Sequence, residues 1–387
     1  MLIQRYYSSN ARANERLAEE HEYGFTNDHD DLVQQTIIIS AQKGCVAPRD
    51  RVSDLHCDDV PQSTLPGDVY GFFTDSSLAG RAHMRPRYVN SGSVMGPAGD
   101  MRRYLERLQT TMAEGLLKVR DKKDFAGDQG TFAEVFGEQE VWRNALRQEG
   151  RADLGSGGDG AAAMISARKE FEYHLGLDYT QELFYPTCYS ERDGSFVRLH
   201  DTQALVEQSS QAGVQPPRIR EVPKDLAAAA VDPLLAKLHG DDALQGRSSW
   251  GDVSLYVDFW TISIPATIHH NAWKHGLKSR RTTWWDRTWY FPHLRQLLEL
   301  QMFSNSTEPL FRAEASDGHG ELQVWAYGGA VESLKLPLLF SPEDEERSGS
   351  SGLRAASWDT VCRSVNDVAE ARSPWYDEVF RDGKGSL

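Results

Sequence analysis

Residues 87–108 read RYVNSGSVMGPAGDMRRYLERL, and after a polar break residues 125–143 read FAGDQGTFAEVFGEQEVWR. The β-branched and bulky apolar residues before Gly96 indicate a strand, and Pro97 suits the first turn of a helix, because that turn does not need its N–H. Apolar residues then recur with helical spacing in both segments. They are Met101, Tyr104, Leu105, Leu108 and Met112 in the first segment and Phe132, Val135, Phe136 and Trp142 in the second. The stretch therefore predicts two successive α/β units.

Small polar residues lie where these predicted elements meet. Asn90, Ser91 and Gly92 form a predicted turn after the strand, whereas Asp128 and Gln129 open the second helix. Ligands bind at such element ends in open α/β sheets, and side chains of this kind can hydrogen-bond the hydroxyls of a sugar. We therefore predict a ligand site here. Taken alone, Asp128 is better explained as a cap that satisfies free N–H groups of its helix, and it is the pairing with the Asn90–Gly92 turn that favours a ligand site.

Composition limits the classes of protein to consider. The chain has 387 residues, of which 40% are hydrophobic, which is enough for one large core or two smaller ones. A net charge of -15 argues against non-specific binding of nucleic acid, so an anionic ligand such as a nucleotide would need local cations or a metal. The mean hydropathy of -0.55 and the absence of an 18-residue apolar run predict no transmembrane helix.

The order of elements along the chain predicts an α/β layer with a mixed, mostly parallel sheet. We expect a helix over 4–20 and strands over 35–41, 87–95 and 251–258 that are adjacent in the core. Residues 1–304 form the predicted α/β domain. It carries a Gly/Ser-rich insertion at 153–163 and a polar, proline-bearing loop at 202–222, predicted to be mobile. Residues 305–387 are predicted to form a small β-rich extension of hairpins with a charged, partly disordered tail.

The segment TIHHNAWKHGLK at 267–278 follows an apolar strand. Imidazole is a common metal ligand, so His269 or His270 is a candidate for binding a cation, and Lys274 and Lys278 could neutralise a phosphate. The alternative is a hydrogen-bonded histidine at the end of a strand. The spacing matches no zinc motif.

Two further motifs have simpler explanations. Asp28 and Asp30 spell a D-x-D pattern, which often holds a divalent cation, but no buried strand precedes them to fix the carboxylates. We interpret this tract as a solvated acidic loop. The aromatic cluster at 282–295 contains three tryptophans that could stack on a sugar or base, although its helical continuation favours core packing.

Cys45 and Cys57 flank a polar loop with proline and could form a short disulfide in an oxidising compartment. They could equally be two free thiols of a cytosolic protein, because spacing alone does not decide between these alternatives.

With these residues assembled, the chain resembles glycosyltransferases of the GT-A fold, which are three-layer α/β sandwiches. The nearest likeness is to the glycosyltransferase domain of procollagen lysyl hydroxylases and related fungal proteins, with a more distant one to glycogenin. It spans about residues 1–300 in element order. Four segments carry it: RYVNSG, GDQGTFAEVF, the stretch FEYHLGLDYTQELFYPTCYSERDGSFVRLHD, and IHHNAWK.

The resemblance implies transfer of a hexose from a UDP-sugar donor to a glycan or protein acceptor, with Mn²⁺ or another divalent cation and with retention of anomeric configuration. It implies that Asn90, Ser91, Gly92 and Gln129 bind the donor sugar and that Asp128 is the catalytic carboxylate. His269 would bind the metal, and Asn271 and Lys274 would bind the diphosphate. It also implies a Golgi or ER-lumen location, although the first residues lack the pattern of a signal peptide, which leaves a cytoplasmic location open.

The chain departs from this family at its beginning. The metal-binding D-x-D of the family ends a strand before the helix that corresponds to residues 4–20, and so does the first nucleotide-binding unit. We therefore expect an N-terminally incomplete fold and weak binding of UDP by these 387 residues. The lysine of IHHNAWK is also one residue closer to its histidine than in the nearest relatives. The alternative function is that of an inactive relative that binds a glycan or a partner protein.

Overall fold

The computed structural model describes residues 2–22, 33–45, 55–119, 127–152, 171–228, 249–271, 283–295, 311–314, 321–324, 338–339, 354–355 and 375–385. The chain forms two compact units. The first unit contains residues 1–229 and 250–281, and the second contains residues 230–249 and 282–387.

The molecule is mixed α/β. Its described helices are α1 (Leu2–Glu22), α2 (Ala98–Lys118), α3 (Gly127–Ala152), α4 (Thr202–Gln211), α5 (Lys224–Ala228) and α6 (Trp375–Val379). Its described strands are β1 (Ile37–Gln42), β2 (Tyr88–Met95), β3 (Leu175–Asp178), β4 (Phe184–Pro186), β5 (Gly194–Val197), β6 (Leu255–Asp258), β7 (Thr267–His269), β8 (Phe311–Glu314), β9 (Glu321–Val324), β10 (Leu338–Leu339) and β11 (Arg354–Ala355). None of these helices is both long enough and apolar enough to cross a membrane.

A three-stranded sheet in the order β2-β1-β3 forms the core of the first unit. Its central strand β1 is buried along its whole length and pairs antiparallel with β2 and parallel with β3. Successive side chains of a strand point to opposite faces. Accordingly, Ile37 and Ile39 pack with Tyr104 of α2 and Phe136 of α3, whereas Ile38 packs in a separate cluster on the other face.

Helix α1 covers that second face, because Tyr6 packs against Ile38. Polar side chains fix its position. The Tyr6 hydroxyl donates to the carbonyl of Thr36 at 2.5 Å. Asn14 exchanges two hydrogen bonds with the backbone of Gln35, at 2.6 and 3.1 Å. The helix predicted over 4–20 is thus confirmed, and it is anchored to the residues that lead into β1.

Two expectations about the sheet are wrong. The predicted strand at 251–258 does not join β1 and β2. Only residues 255–258 form a strand, β6, and it pairs antiparallel with β5. Among the six described strand pairings only β1 with β3 and β4 with β7 are parallel, so the described sheets are mixed but not mostly parallel. The pairing partner of a short strand depends on contacts remote in the chain, which periodicity does not reveal.

The prediction of a loop over 202–222 is wrong for its first half, because residues 202–211 form helix α4. Asp201 caps this helix by accepting a hydrogen bond from the backbone N–H of Ala204 at 3.0 Å. Leu205 and Ser209 are its buried residues. A helix with so few buried positions has too weak an apolar stripe for its sequence to predict it.

The structure joins Cys45 and Cys57 by a disulfide, with Cα atoms 5.9 Å apart. The sequence left open a disulfide or two free thiols, and the structure has the disulfide. Both residues pack against the core that β1 shares with α2 and α3. Closing a loop of about this length contributes roughly 3 kcal/mol to stability by restricting the unfolded chain.

In the second unit, the predicted hairpin texture after residue 305 is confirmed by β8 and β9, which pair antiparallel. Trp285 from the aromatic cluster donates its indole N–H to the carbonyl of Val379 at 2.8 Å and meets the ring of Tyr290 edge-on. At least this tryptophan therefore serves packing. The insertion at 153–163, the D-x-D tract and the charged tail segment at 341–352 lie outside the described residues.

A half-buried histidine beside the disulfide joins the 55–59 segment to α3. His56 Nδ1 lies 2.9 Å from Asp59 Oδ2, and its Nε2 lies 3.5 Å from Glu134 Oε2. The hydrogen bond with Glu134 is the largest influence on the ring and, with Asp59, outweighs burial, so the pKa of His56 rises to about 9.

We expect the raised pKa of His56 to make the free energy of unfolding fall as the pH becomes alkaline. Its folded pKa lies above its ordinary value of 6.5, so its contribution is complete below about pH 6.5 and is lost as the pH rises through 9. After allowance for solvent screening, the loss is about 1–2 kcal/mol. Urea denaturation of the wild type and of His56→Gln between pH 6 and 9.5 measures it. His200→Gln, which alters an exposed pair with Asp252, is the control. A His56→Gln profile parallel to that of the wild type would contradict the assignment.

Candidate functional site

A bulge in β2 forms the centre of the candidate site. Ile39 of β1 is opposite Val94, but the next residue, Ser40, is opposite Asn90. Residues 91–93 therefore leave the ladder together. The sequence predicted a turn at the end of a strand, whereas these residues lie within one strand. A bulge has the same effect as the predicted turn, since it releases backbone and side chains from the sheet for other contacts.

The first turn of α3 lies directly against this bulge. The Ser91 hydroxyl donates to Asp128 Oδ2 at 2.7 Å. The backbone N–H of Ser91 donates to Gln129 Oε1 at 3.1 Å, and Gln129 Nε2 donates to the carbonyl of Val89 at 2.6 Å. The structure thus brings the two predicted parts of the site into contact.

The surroundings of Asp128 show whether its side chain caps helix α3 or is available to a ligand. Asp128 is exposed at the second position of α3. Within the described part of the chain, its hydrogen bond comes from Ser91 and not from a backbone N–H of the helix. A carboxylate that is solvent-accessible and oriented by a neighbouring hydroxyl can contact a ligand over the bulge.

His269 joins the same site from the end of β7, where it is opposite Pro186 of β4. Its Nδ1 lies 2.9 Å from Asn90 Oδ1. Burial lowers the pKa of His269, and the nearby charge of Asp128 only partly opposes that effect. The imidazole is therefore neutral at physiological pH, the state in which histidine can bind a metal or accept a proton.

The ring of His269 occupies the space beside Gly92 that any side chain would need. A Cβ at position 92 would lie 1.8 Å from Cε1 of His269 and 2.1 Å from its Nδ1. We expect Gly92→Ala to displace the ring, to break its contact with Asn90 and to lower stability by about 1–3 kcal/mol. Thermal denaturation and the imidazole NMR signals of His269 measure these effects.

Gly99→Ala is the matched control, because a Cβ at Gly99 would meet no atom within 4 Å. Gly99 lies in α2, where alanine is the better helix former, so this variant should be at least as stable as the wild type. Unchanged His269 signals in Gly92→Ala would show that the ring is not confined as described.

Asn271 has a structural task in the described site. Its side-chain oxygen accepts from the backbone N–H of Cys188 at 2.9 Å, and its carbonyl accepts from the Thr187 hydroxyl at 3.3 Å. It thereby joins the segment after β7 to the one after β4. Lys274, the other implied diphosphate ligand, lies outside the described residues.

The groups near His269 could supply some, but not all, of the ligands of a metal ion. His269 supplies an imidazole nitrogen, and the charge of Asp128 acts on it. Within the described ranges, no three histidine, cysteine or acidic side chains converge. Divalent ions that act on phosphates keep water and phosphate oxygens as ligands and need few from the protein, so His269 fits such an ion as one ligand among several.

Sequence reasoning missed Gln42, the last residue of β1. Its Oε1 accepts from Asn90 Nδ2 at 2.9 Å, although the side chains are 48 positions apart in the chain. The available signal was a polar residue at the end of a buried apolar strand, since buried amides require hydrogen-bond partners.

Comparison with known proteins identifies no relative: no protein family, no curated sequence and no solved structure matches the chain significantly.

Proposed function

We propose that the chain is a metal-dependent glycosyltransferase that uses a UDP-sugar. The observation that supports this proposal is the convergence of three segments remote in sequence. Ser91 of β2 donates to Asp128 of α3 at 2.7 Å, and Asn90, the neighbour of Ser91, lies 2.9 Å from His269 at the end of β7. These are the segments that the resemblance assigns to the donor sugar and the metal.

The chemistry available at this site suits transfer of a sugar. The exposed carboxylate of Asp128 can stabilise positive charge at the anomeric carbon or orient the acceptor hydroxyl. Ser91 and Gln129 offer hydroxyl and amide groups for sugar hydroxyls, and Gly92 leaves the backbone accessible. A divalent cation, when bound beside His269, would stabilise the leaving diphosphate. The acceptor in this proposal is a glycan or a protein.

The disulfide between Cys45 and Cys57 supports a location in the secretory pathway. Disulfides persist in oxidising compartments such as the ER lumen and are rare in the cytosol. UDP-sugar transfer to glycans and secreted proteins in such a compartment is consistent with the proposed reaction.

The second candidate is a catalytically inactive relative that binds a glycan or partner protein. The observation in its favour is that several polar groups of the site already have partners. Asp128 accepts from Ser91, and the amide of Asn90 is used by Gln42 and His269. A site satisfied in this way can persist as a scaffold after loss of catalysis.

The deciding experiment measures UDP release from a panel of UDP-hexoses by the full gene product with Mn²⁺ and with EDTA. We expect Mn²⁺-dependent release from at least one donor, and NMR of the product should show the anomeric configuration retained. Calorimetry with UDP and Mn²⁺ separates the alternatives. Binding of UDP without turnover would indicate a nucleotide-binding module that has no transfer activity. Absence of both would favour the second candidate and contradict the proposal.

A further inference from the structure

A chain of hydrogen bonds connects the end of β1 to His269. Gln42 Nε2 donates to the carbonyl of Gly44 at 2.8 Å, and Gln42 Oε1 accepts from Asn90 Nδ2 at 2.9 Å. Asn90 Oδ1 in turn accepts from the backbone N–H of Gly92 at 3.1 Å and lies 2.9 Å from His269 Nδ1. Gln42 is 7% exposed and Asn90 is 3% exposed, so water does not compete for these groups.

The backbone fixes the direction of this chain at both ends. The carbonyl of Gly44 can only accept, so Gln42 must present its NH₂ group there and its oxygen to Asn90. At the other end the N–H of Gly92 can only donate, so Asn90 must present its oxygen there. Both ends require the same orientation of Asn90. The remaining contact of that oxygen is His269 Nδ1, which must therefore carry a hydrogen.

We propose that Gln42 and Asn90 are positioning residues that hold His269 with its proton on Nδ1 and leave the lone pair of Nε2 for the metal of the proposed reaction. The part of this inference that concerns the metal rests on the proposed function. The assignment of the proton to Nδ1 does not, since it follows from the four hydrogen bonds alone. Among the described residues, Nε2 of His269 has no hydrogen-bond partner, which leaves its lone pair available.

The geometry also explains why Asn90 is buried within a site implied to bind a sugar. Both ends of its amide are engaged inside the protein, so Ser91, Gly92 and Asp128 form the accessible surface. Partners that orient a metal-binding histidine typically change metal affinity by about 10–100-fold when they are removed. Asn90 would then act on the metal through His269 rather than touch the donor.

Long-range ¹⁵N–¹H NMR of the histidine-labelled full gene product without metal tests the inference, because it distinguishes a protonated from an unprotonated ring nitrogen. Loss of a signal in His269→Gln assigns the residue. We expect the Nδ1-protonated pattern in the wild type. Asn90→Leu removes the acceptor and should abolish that preference, whereas Asn90→Asp keeps an acceptor oxygen and should restore it. Gln42→Leu should weaken it, because Asn90 can then rotate its amide.

Ser91→Ala is the control. It removes the hydroxyl that contacts Asp128 but leaves the Gly44–Gln42–Asn90–His269 chain intact, so the pattern of His269 should not change. Protonation of Nε2 in the wild type would overturn the inference without reference to any variant. An Asn90→Leu protein that folds and keeps the wild-type pattern would overturn it as well, because Asn90 would then serve folding alone.

Titration of the same samples with Mn²⁺ alone separates this inference from the proposed function. We expect the His269 signals to broaden in the wild type, and half-broadening in Asn90→Leu should need at least about 10-fold more Mn²⁺. If the tautomer responds to the variants as expected but Mn²⁺ never broadens His269, the positioning role stands. The metal assignment then fails together with the proposed reaction.

Discussion

Arg143→Met should lower the free energy of unfolding by about 3–5 kcal/mol, because it breaks a buried ion-pair cluster. The guanidinium of Arg143 in α3 forms a two-pronged pair with Glu172, with bonds of 2.8 and 2.7 Å, and a third bond of 3.1 Å to Glu140. The three side chains are between 2% and 4% exposed. Without the arginine, two buried carboxylates would remain without a cation.

Arg143 also connects elements that are remote in the chain. Its Nη2 donates to the carbonyl of Gln34, just before β1, at 3.0 Å, and its Nη1 donates to the carbonyl of Leu175 in β3 at 3.3 Å. One side chain thus joins α3 to both of the parallel strands at the core. Lysine cannot reproduce this planar fork, so Arg143→Lys should recover only part of the loss.

Urea denaturation at pH 7 measures these changes. Arg102→Met is the matched control, because Arg102 pairs with Glu106 on the exposed surface of α2 and should contribute no more than about 0.5 kcal/mol. Adding Glu140→Gln and Glu172→Gln to Arg143→Met should restore most of the stability, because it removes the unpaired charges. A loss of less than about 1 kcal/mol in Arg143→Met would mean that water reaches the cluster.

Helices α2 and α3 and strand β1 could be predicted because each carries apolar residues at its own period. In α2, however, only Tyr104 and Leu108 of the predicted stripe are buried, and Leu105 is 49% exposed. Helix α1 differs from these elements because it packs largely through polar side chains. Of its two adjacent tyrosines, Tyr7 is 38% exposed, whereas Tyr6 packs on the core. Asn10 and Asn14 provide much of the contact with residues 35–36. A face that packs through hydrogen bonds leaves little trace in hydrophobic periodicity.

The site was predictable in part for a similar reason. The contact of Ser91 with Asp128 could be anticipated, because small polar residues mark the places where strands and helices meet. The bulge and the amide pair of Gln42 and Asn90 could not, because both depend on the register between β1 and β2. Register is set by tertiary packing over 48 intervening positions, and a shift of one residue would turn Asn90 to the other face of the sheet.

Asp128→Asn should lower kcat/KM for sugar transfer by about 100-fold or more, equivalent to roughly 3 kcal/mol of transition-state stabilisation. The reason is charge. The amide keeps the size of the carboxylate and can still accept a hydrogen bond from Ser91, but it cannot stabilise an oxocarbenium-like centre. Because the charge develops only in the transition state, the loss should appear mainly in kcat, with KM for the UDP-sugar little changed.

The substitution separates catalysis from helix capping, because asparagine caps a helix about as well as aspartate. Its melting temperature should therefore remain within about 2 °C of the wild type in the full gene product. Asp201→Asn is the matched control: Asp201 caps α4, and among the described residues its side chain bonds only with the backbone of that helix. That variant should keep full activity and similar stability. If Asp128→Asn also kept full activity, Asp128 would be only the partner of Ser91, and the catalytic carboxylate would have to be sought elsewhere in the chain.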